Sequence, residues 1–228
     1  MGARSRGTGC VYNPVTRAEA HGSQRPGRRR YPCRVRAPEE IEVKIAAESA
    51  TTLRARLREN GFRISRSRVF EQNIALDDEE RSLRKGNLLL RVRVAGKLIT
   101  CTWKGKENAG GAHKRREERE FHADNLEECL AVFRGLGYIP SFRYEKYRTE
   151  YAREGEPGHA LLDETPIGVF MELEGPMRWI DRTAKQLGFS RDDYIRLSYG
   201  RLYEQWRQAH EVESRDMSFA AVPTPRIR

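Results

Sequence analysis

Several short segments of this 228-residue chain alternate polar and apolar side chains, with most of the charges collected on one parity. In Glu40-Ile41-Glu42-Val43-Lys44-Ile45 the ionic groups point one way and the aliphatic groups the other. Leu90-Arg91-Val92-Arg93-Val94 repeats the arrangement, and Ile99, Cys101 and Trp103 oppose Thr100, Thr102 and Lys104, with Lys106 continuing the polar side. Between Arg143 and Tyr151, Tyr144, Lys146 and Arg148 share a side; further on, Val169, Met171 and Leu173 oppose Phe170, Glu172 and Glu174. Period two places successive side chains on opposite faces of a strand, so each segment reads as a strand with one ionic and one apolar face. A merely solvated face would mix Lys, Glu, Thr, Ser and Gln. Here the polar faces are nearly all charged, and acid-rich strands are separate from base-rich ones. A sheet closed into a barrel, apolar faces outward beneath helices, would line its interior with these charges.

Helical period interrupts the strands, with recognisable stops. Leu53 and Leu57 share a face before Gly61. Leu126, Leu130 and Phe133 share one before Gly137, with Asp124 or Asn125 as N-cap, and Ile180, Ala184 and Leu187 share one between Pro176 and Gly188. Ser190 and Asp193 have the spacing of a capping box for a last helix carrying Tyr194, Leu197 and Trp206. These helices are assigned packing roles and no chemistry. The spacing predicts a fold of class α+β, a β-barrel with flanking helices.

Charge divides the chain into regions. Residues 1–38 hold nine Arg and one acid, so the rest carries only +2 of the net +10. That first stretch, rich in Arg, Gly, Pro and Ser, is expected to be a disordered basic tail, because it has too little apolar surface to offset the entropy of ordering. It is read as a solvated extension, or as an arm for RNA or anionic lipid centred on Arg28-Arg29-Arg30. The globular domain is placed at 39–208 and a flexible C-terminal tail at 209–228. No stretch approaches the roughly 18 apolar residues of a membrane span, and no signal peptide is evident, so a cytoplasmic protein without membrane contact is expected. Cys10, Cys33, Cys101 and Cys129 show neither close pairing nor zinc-site spacing and read as reduced thiols; the five histidines are scattered.

A barrel interior of this kind cannot be dry, since each unpaired buried ion costs several kcal/mol even after relaxation. A cation cluster beside a carboxylate cluster suits a phosphate chain whose oxygens meet Arg and Lys directly and the carboxylates through bridging cations.

Glu40-Ile41-Glu42-Val43-Lys44 resembles the E-x-E-x-K signature that opens the CYTH domain, the family of class IV adenylate cyclases and thiamine triphosphatases, or triphosphate tunnel metalloenzymes. Leu90-Arg91-Val92-Arg93 resembles the paired-arginine strand of that family, Thr102-Trp103-Lys104-Gly105 its lysine strand, and Lys146-Tyr147-Arg148 its next basic strand. Leu162-Asp163-Glu164-Thr165-Pro166-Ile167-Gly168 and Phe170-Met171-Glu172-Leu173-Glu174-Gly175 resemble its closing acidic hairpin. The matches follow family order across residues 39 to about 208. The resemblance implies an eight-stranded antiparallel tunnel, with Glu40, Glu42, Glu172 and Glu174 holding Mg²⁺ or Mn²⁺. It implies further that Lys44, Arg91, Arg93, Lys104, Lys146 and Arg148 grip a triphosphate, and that Glu40, Glu42, Lys44 and Asp163 take part in catalysis. Glu118 fits a family strand in one register of Arg116-Glu117-Glu118-Arg119-Glu120. One departure is local: where the family often has an acidic and aromatic run near D-x-Y-F-D, this chain has Gln72-Asn73-Ile74-Ala75-Leu76-Asp77, and only Asp77 keeps its place.

Two reactions suit such a site. Class IV cyclase chemistry, which converts ATP to cyclic AMP and pyrophosphate, is the preferred expectation; hydrolysis of thiamine triphosphate, a nucleoside triphosphate or inorganic tripolyphosphate is the alternative. A non-catalytic polyphosphate-binding module would need the cations but not four paired carboxylates. The expected partner is a triphosphate-bearing small molecule rather than nucleic acid, with homodimerisation left open.

Overall fold

The computed structural model describes residues 39–108 and 110–222, so the basic tail expected at 1–38 lies outside the described residues. The elements run β1 (Glu39–Ala47), α1 (Ala50–Glu59), β2 (Arg63–Asp77), α2 (Ser82–Lys85), β3 (Leu89–Ala95), β4 (Leu98–Lys104), β5 (Lys114–Ala123), α3 (Leu126–Gly135), β6 (Ile139–Ala152), β7 (His159–Thr165), β8 (Gly168–Glu174), α4 (Met177–Gln186), β9 (Tyr194–Ile195) and α5 (Tyr199–Ala209). All strand pairings between these elements are antiparallel, in the order β5-β4-β3-β2-β6-β7-β8-β1-β9, and β1 also pairs with β5. That last pairing closes β1 to β8 into an eight-stranded barrel.

The closure depends on how β1 shares its edges. On one side β8 pairs with Glu42–Ala47. On the other, β5 pairs with Glu39–Glu42 and then gives way to β9 at Lys44 and Ile45. A closed barrel leaves fewer unpaired edge groups than an open sheet and fixes which parity faces inward. A one-residue slip would send Val43 and Ile45 into the lumen and Glu42 and Lys44 into the apolar shell.

Outside the barrel, α1 and α4 cover β1, β7 and β8. Leu53, Leu57, Ile180, Ala184 and Leu187 pack there on Val43, Ile45, Leu162, Met171 and Leu173. α3 covers β3 and β4 through Cys129, Leu126, Leu130 and Phe133 against Val92, Ile99 and Cys101. Three of the expected helices form with their apolar faces as read, and Ser49 and Asn125 cap α1 and α3 through their side chains. Cys101 and Cys129, far apart in sequence, are free buried thiols whose Sγ atoms lie 3.1 Å apart.

Two further expectations are revised. The capping box of Ser190 and Asp193 is present, but it caps a three-residue 3₁₀ turn, Arg191–Asp193. Tyr194 then belongs to β9, and the last helix begins only at Tyr199, capped by Ser198. Residues 211–222 do not run free as a tail. Met217 forms a parallel bridge with Tyr144, its N–H donating to the Arg143 carbonyl (3.0 Å) and its carbonyl accepting from the Glu145 N–H (2.9 Å). Met217 and Val222 are buried with Tyr203 and Phe170 in a third apolar cluster. That stretch has no periodicity because it is anchored by a few contacts rather than by a repeating face.

Candidate active site

Strand register brings the ionic parity of every barrel strand into one lumen. The acid wall forms where β1 lies between β8 and β5: Glu42 sits opposite Glu174 on one side and Lys114 on the other, and Glu40 opposite Arg116. Glu40, Glu42 and Glu174 each offer a carboxylate oxygen within 4.8 Å of the other two. Glu42 accepts from Lys114 Nζ at 3.0 Å, and Glu40 is in contact with Lys104.

This crowding separates the three acids in proton affinity. Burial pushes the Glu174 carboxyl up to about 8, and repulsion from Glu40, Glu172 and Glu42 adds to it against the pull of Arg148. Burial raises Glu40 to about 7, with Glu42 and Glu118 repelling its charge and Lys104 opposing. Burial acts in the same direction on Glu42, but Lys114, Lys104 and Lys44 draw it down to about 2 despite repulsion from Glu172. Three hard oxygen donors whose mutual repulsion a divalent cation would relieve are a chemically fitting set for Mg²⁺ or Mn²⁺. Glu172, expected in this set, stands apart: Lys44 Nζ lies 2.9 Å from it and Arg148 also contacts it.

The cation wall is built on β3, β4 and β6. Arg148 forms a two-pronged pair with Asp163, both N···O distances 2.7 Å, and Lys146 Nζ donates to the same carboxylate at 2.8 Å. The Tyr199 hydroxyl, from α5, donates to Asp163 at 2.7 Å. Asp163 is thus saturated by donors and serves to aim Lys146 and Arg148 rather than to take a proton. Across the lumen, Arg91 donates to the Tyr144 hydroxyl (3.3 Å) and Thr102 (3.2 Å), and Arg93 to Asn73 (3.2 Å). α5 has more than a packing role, because the Tyr199 ring lies 4.3 Å from Lys44 Nζ and 5.1 Å from Lys146 Nζ.

The residues expected to grip phosphate, Lys44, Arg91, Arg93, Lys104, Lys146 and Arg148, all face this lumen. Lys106 does not: β4 ends at Lys104 and Lys106 is exposed. Glu118 does, 3.3 Å from Lys104, because β5 pairs Lys104 with Glu118 and Thr102 with Glu120. Several lumen residues were not legible. Glu71, fully buried, lies 3.5 Å from Arg93 and 3.7 Å from Lys146. Lys114 and Arg116 come from a stretch charged on both parities, where alternation carries no signal. Asn73 and Tyr199 are single polar groups set by cross-strand register and by α5.

A closed antiparallel barrel with a carboxylate cluster facing a wall of Lys and Arg defines a tunnel fold with a charged lumen. The chain belongs to the CYTH domain family, whose sequence profile matches residues 38–188. Solved structures agree in fold. A Vibrio parahaemolyticus protein provisionally named an adenylate cyclase superposes with TM-score 0.64 at 16% identity, over 74% of this chain and 99% of its own. A Pyrococcus horikoshii protein gives 0.63 at 22% identity, over 73% and 98%. A Hippeastrum protein, named an adenylyl cyclase and described as having dominant triphosphatase activity, gives 0.56 at 15% identity, over 73% and 95%. No curated protein matches the chain.

Proposed function

We propose that this protein is a divalent-metal-dependent triphosphatase, binding a triphosphate in the lumen and releasing its terminal phosphate. The observation that carries this reading is the convergence of Glu40, Glu42 and Glu174 to within 4.8 Å of one another, facing Arg91, Arg93, Lys146 and Arg148. Glu40, Glu42 and Glu174 would hold Mg²⁺ or Mn²⁺, which when bound neutralises charge on phosphate oxygens. The remaining work falls to the chain's own groups. Arg91 and Arg93 bind equatorial phosphate oxygens, and Lys146 and Arg148, aimed by Asp163, fix the chain of phosphates along the tunnel. Lys44, tethered by Glu172, supplies a further point charge between the acid and base walls.

Hydrolysis is preferred to cyclisation for a structural reason. A cyclase must also seat a nucleoside, yet the aromatic rings near the lumen already stack on one another. Phe142 lies 5.5 Å from Tyr144 and 6.0 Å from Tyr203, and Tyr144 lies 5.9 Å from Tyr199. The activity in the Hippeastrum protein's name supports the same choice. Cyclisation stands as a second reading because a cavity of about 560 Å³, large enough for a nucleoside, adjoins the lumen.

Incubation with ATP, thiamine triphosphate and tripolyphosphate, each with Mg²⁺ or Mn²⁺, is expected to release orthophosphate. Cyclic AMP with pyrophosphate would select the cyclase. Tight tripolyphosphate binding without turnover would leave a binding module. Glu42→Gln is expected to abolish metal-dependent turnover and metal-dependent thermal stabilisation while retaining the fold; a fully active variant sinks the metal assignment.

A further inference from the structure

Outside the lumen, the docking of α3 on the barrel brings two cysteines together. Cys101 lies midway along β4 on its apolar parity, opposite Val92 on β3 and Phe121 on β5, and is 1% exposed. Cys129 sits near the start of α3, its N–H donating to the carbonyl of the N-cap Asn125 (3.1 Å), on the face that carries Leu126, Leu130 and Phe133. Both thiols are free, and their Sγ atoms lie 3.1 Å apart. An S–S bond is about 2.0 Å long, so an approach of about 1 Å, within the range of side-chain rotation, completes one.

The surroundings narrow what this pair can do. Among the described residues no third Cys, His, Asp or Glu joins it, so it lacks the ligands of a tetrahedral metal centre. Its neighbours are apolar, Val92, Ile99, Leu130 and Phe133. Burial, with the Cys129 thiol alongside, pushes the Cys101 thiol up to about 12, which makes Cys101 a poor first nucleophile. Cys129 is the more exposed of the two, at 9%. The apolar cover is thin on the β5 side, where Phe121 shares the face of Cys101 and is 56% exposed. A small oxidant reaches the pair from there more readily than a bulky one.

We infer that Cys101 and Cys129 form a modification site for peroxide, which joins them in a disulfide that fastens α3 to β4. Peroxide reacts first at Cys129: an S–O bond forms, the O–O bond breaks, and the thiol proton leaves with the departing hydroxyl as water. The Cys101 sulfur then attacks the Cys129 sulfenic acid. The S–S bond forms, the S–O bond breaks, and the Cys101 proton and the hydroxyl leave as a second water. The two sulfurs give up two electrons, and one peroxide becomes two waters. Contact between the sulfurs favours this step over further oxidation of Cys129 by a second peroxide. The closed loop joins positions 28 apart and contains all of β5, the strand whose pairing with β1 closes the barrel. The bond therefore restricts the unfolded chain across that seam. Thr100 and Thr102 flank Cys101 on the opposite parity, so the cross-link is independent of the reaction in the lumen.

The test uses the full chain carrying Cys10→Ser and Cys33→Ser, so that only this pair responds. Hydrogen peroxide should lower the intact mass by two hydrogens and yield a Cys101–Cys129 linked peptide on digestion without reductant. It should also raise the melting temperature by about 5–10 °C, and dithiothreitol should reverse all three changes. Adding Cys101→Ala should abolish the rise and leave Cys129 to be trapped by dimedone as a sulfenic acid adduct. Adding Cys129→Ala should abolish both the rise and the adduct. Survival of both thiols in the folded protein would overturn the assignment, as would oxygen added to either sulfur without the linked peptide. A linked peptide that forms only after unfolding, or that leaves the melting temperature unraised, would show that no fastening of α3 occurs in the native barrel.

Discussion

Glu71 shows how much a single lumen residue depends on its neighbours. Neither carboxylate oxygen has a hydrogen-bond partner, yet burial, which alone would raise its proton affinity, is outweighed by Lys146, Arg148, Arg93 and Arg91, and the group is held down at about 2. A carboxyl depressed from its ordinary 4.5 contributes stability above pH 4.5 and loses it as pH falls towards 2. The contribution is about 3 kcal/mol at neutral pH. Glu71→Gln should therefore be much less stable than the wild type at pH 7, with the gap narrowing by pH 3, read from guanidinium unfolding midpoints. An equal gap at both pH values would show that lost packing, not lost charge, is responsible. The sequence gives no hint of this role, because Glu71 follows Arg63–Phe70, a stretch of β2 that is largely exposed.

At the scale of elements, the contact of α4 with the barrel depends on a close approach at two glycines. A Cβ on Gly158 would lie 2.4 Å from the Trp179 ring, and one on Gly175 would lie 2.9 Å from Gly158 Cα. Gly175 also has φ +153°, a backbone conformation that L side chains rarely adopt. Trp179 reaches Phe62 edge-on at 6.4 Å, so displacing it disturbs the α1 side as well. Gly158→Ala is expected to cost about 1–3 kcal/mol of stability in urea unfolding, with little change in substrate affinity because the site lies outside the lumen. A neutral effect would mean that Trp179 swings aside freely. The existence of α4 is legible in its apolar spacing and flanking Pro176 and Gly188; the need for glycine at 158 is not, since it arises from a helix meeting a strand distant in sequence.

The described residues from 39 to 222 form a barrel insulated on its outside and polar within, fastened late in the chain. β9 joins β1 at Lys44, the Tyr199 hydroxyl of α5 bonds to Asp163, and Met217 bridges to Tyr144, so three segments after the family match end within or against the lumen wall. Met217 is fully buried in the cluster that includes Tyr199 and Tyr203. Met217→Ala should destabilise the protein by about 2–4 kcal/mol by thermal or denaturant unfolding, because it leaves a cavity beside Tyr199 and Tyr203. An unchanged melting temperature would show that residues 211–222 contribute nothing to the fold. Among the described residues no helix is long and apolar enough to cross a membrane.

What the sequence determined by itself is the parity of the strands and the identity of most of the groups that face inward. Glu40, Glu42, Arg91, Arg93, Glu172 and Glu174 were legible because each alternates with an aliphatic neighbour, and Lys104, Lys146 and Arg148 because each shares a strand parity with other polar groups. Tertiary structure decided which of those charges meet. The β1–β8 pairing put Glu174 against Glu42 while Lys44 and Arg148 drew Glu172 away, and pairing with β1 and β4 fixed the inward face of Lys114–Glu120, where both parities are charged. Tertiary structure also gave the late segments their place, because contacts between residues distant in sequence leave no period to read.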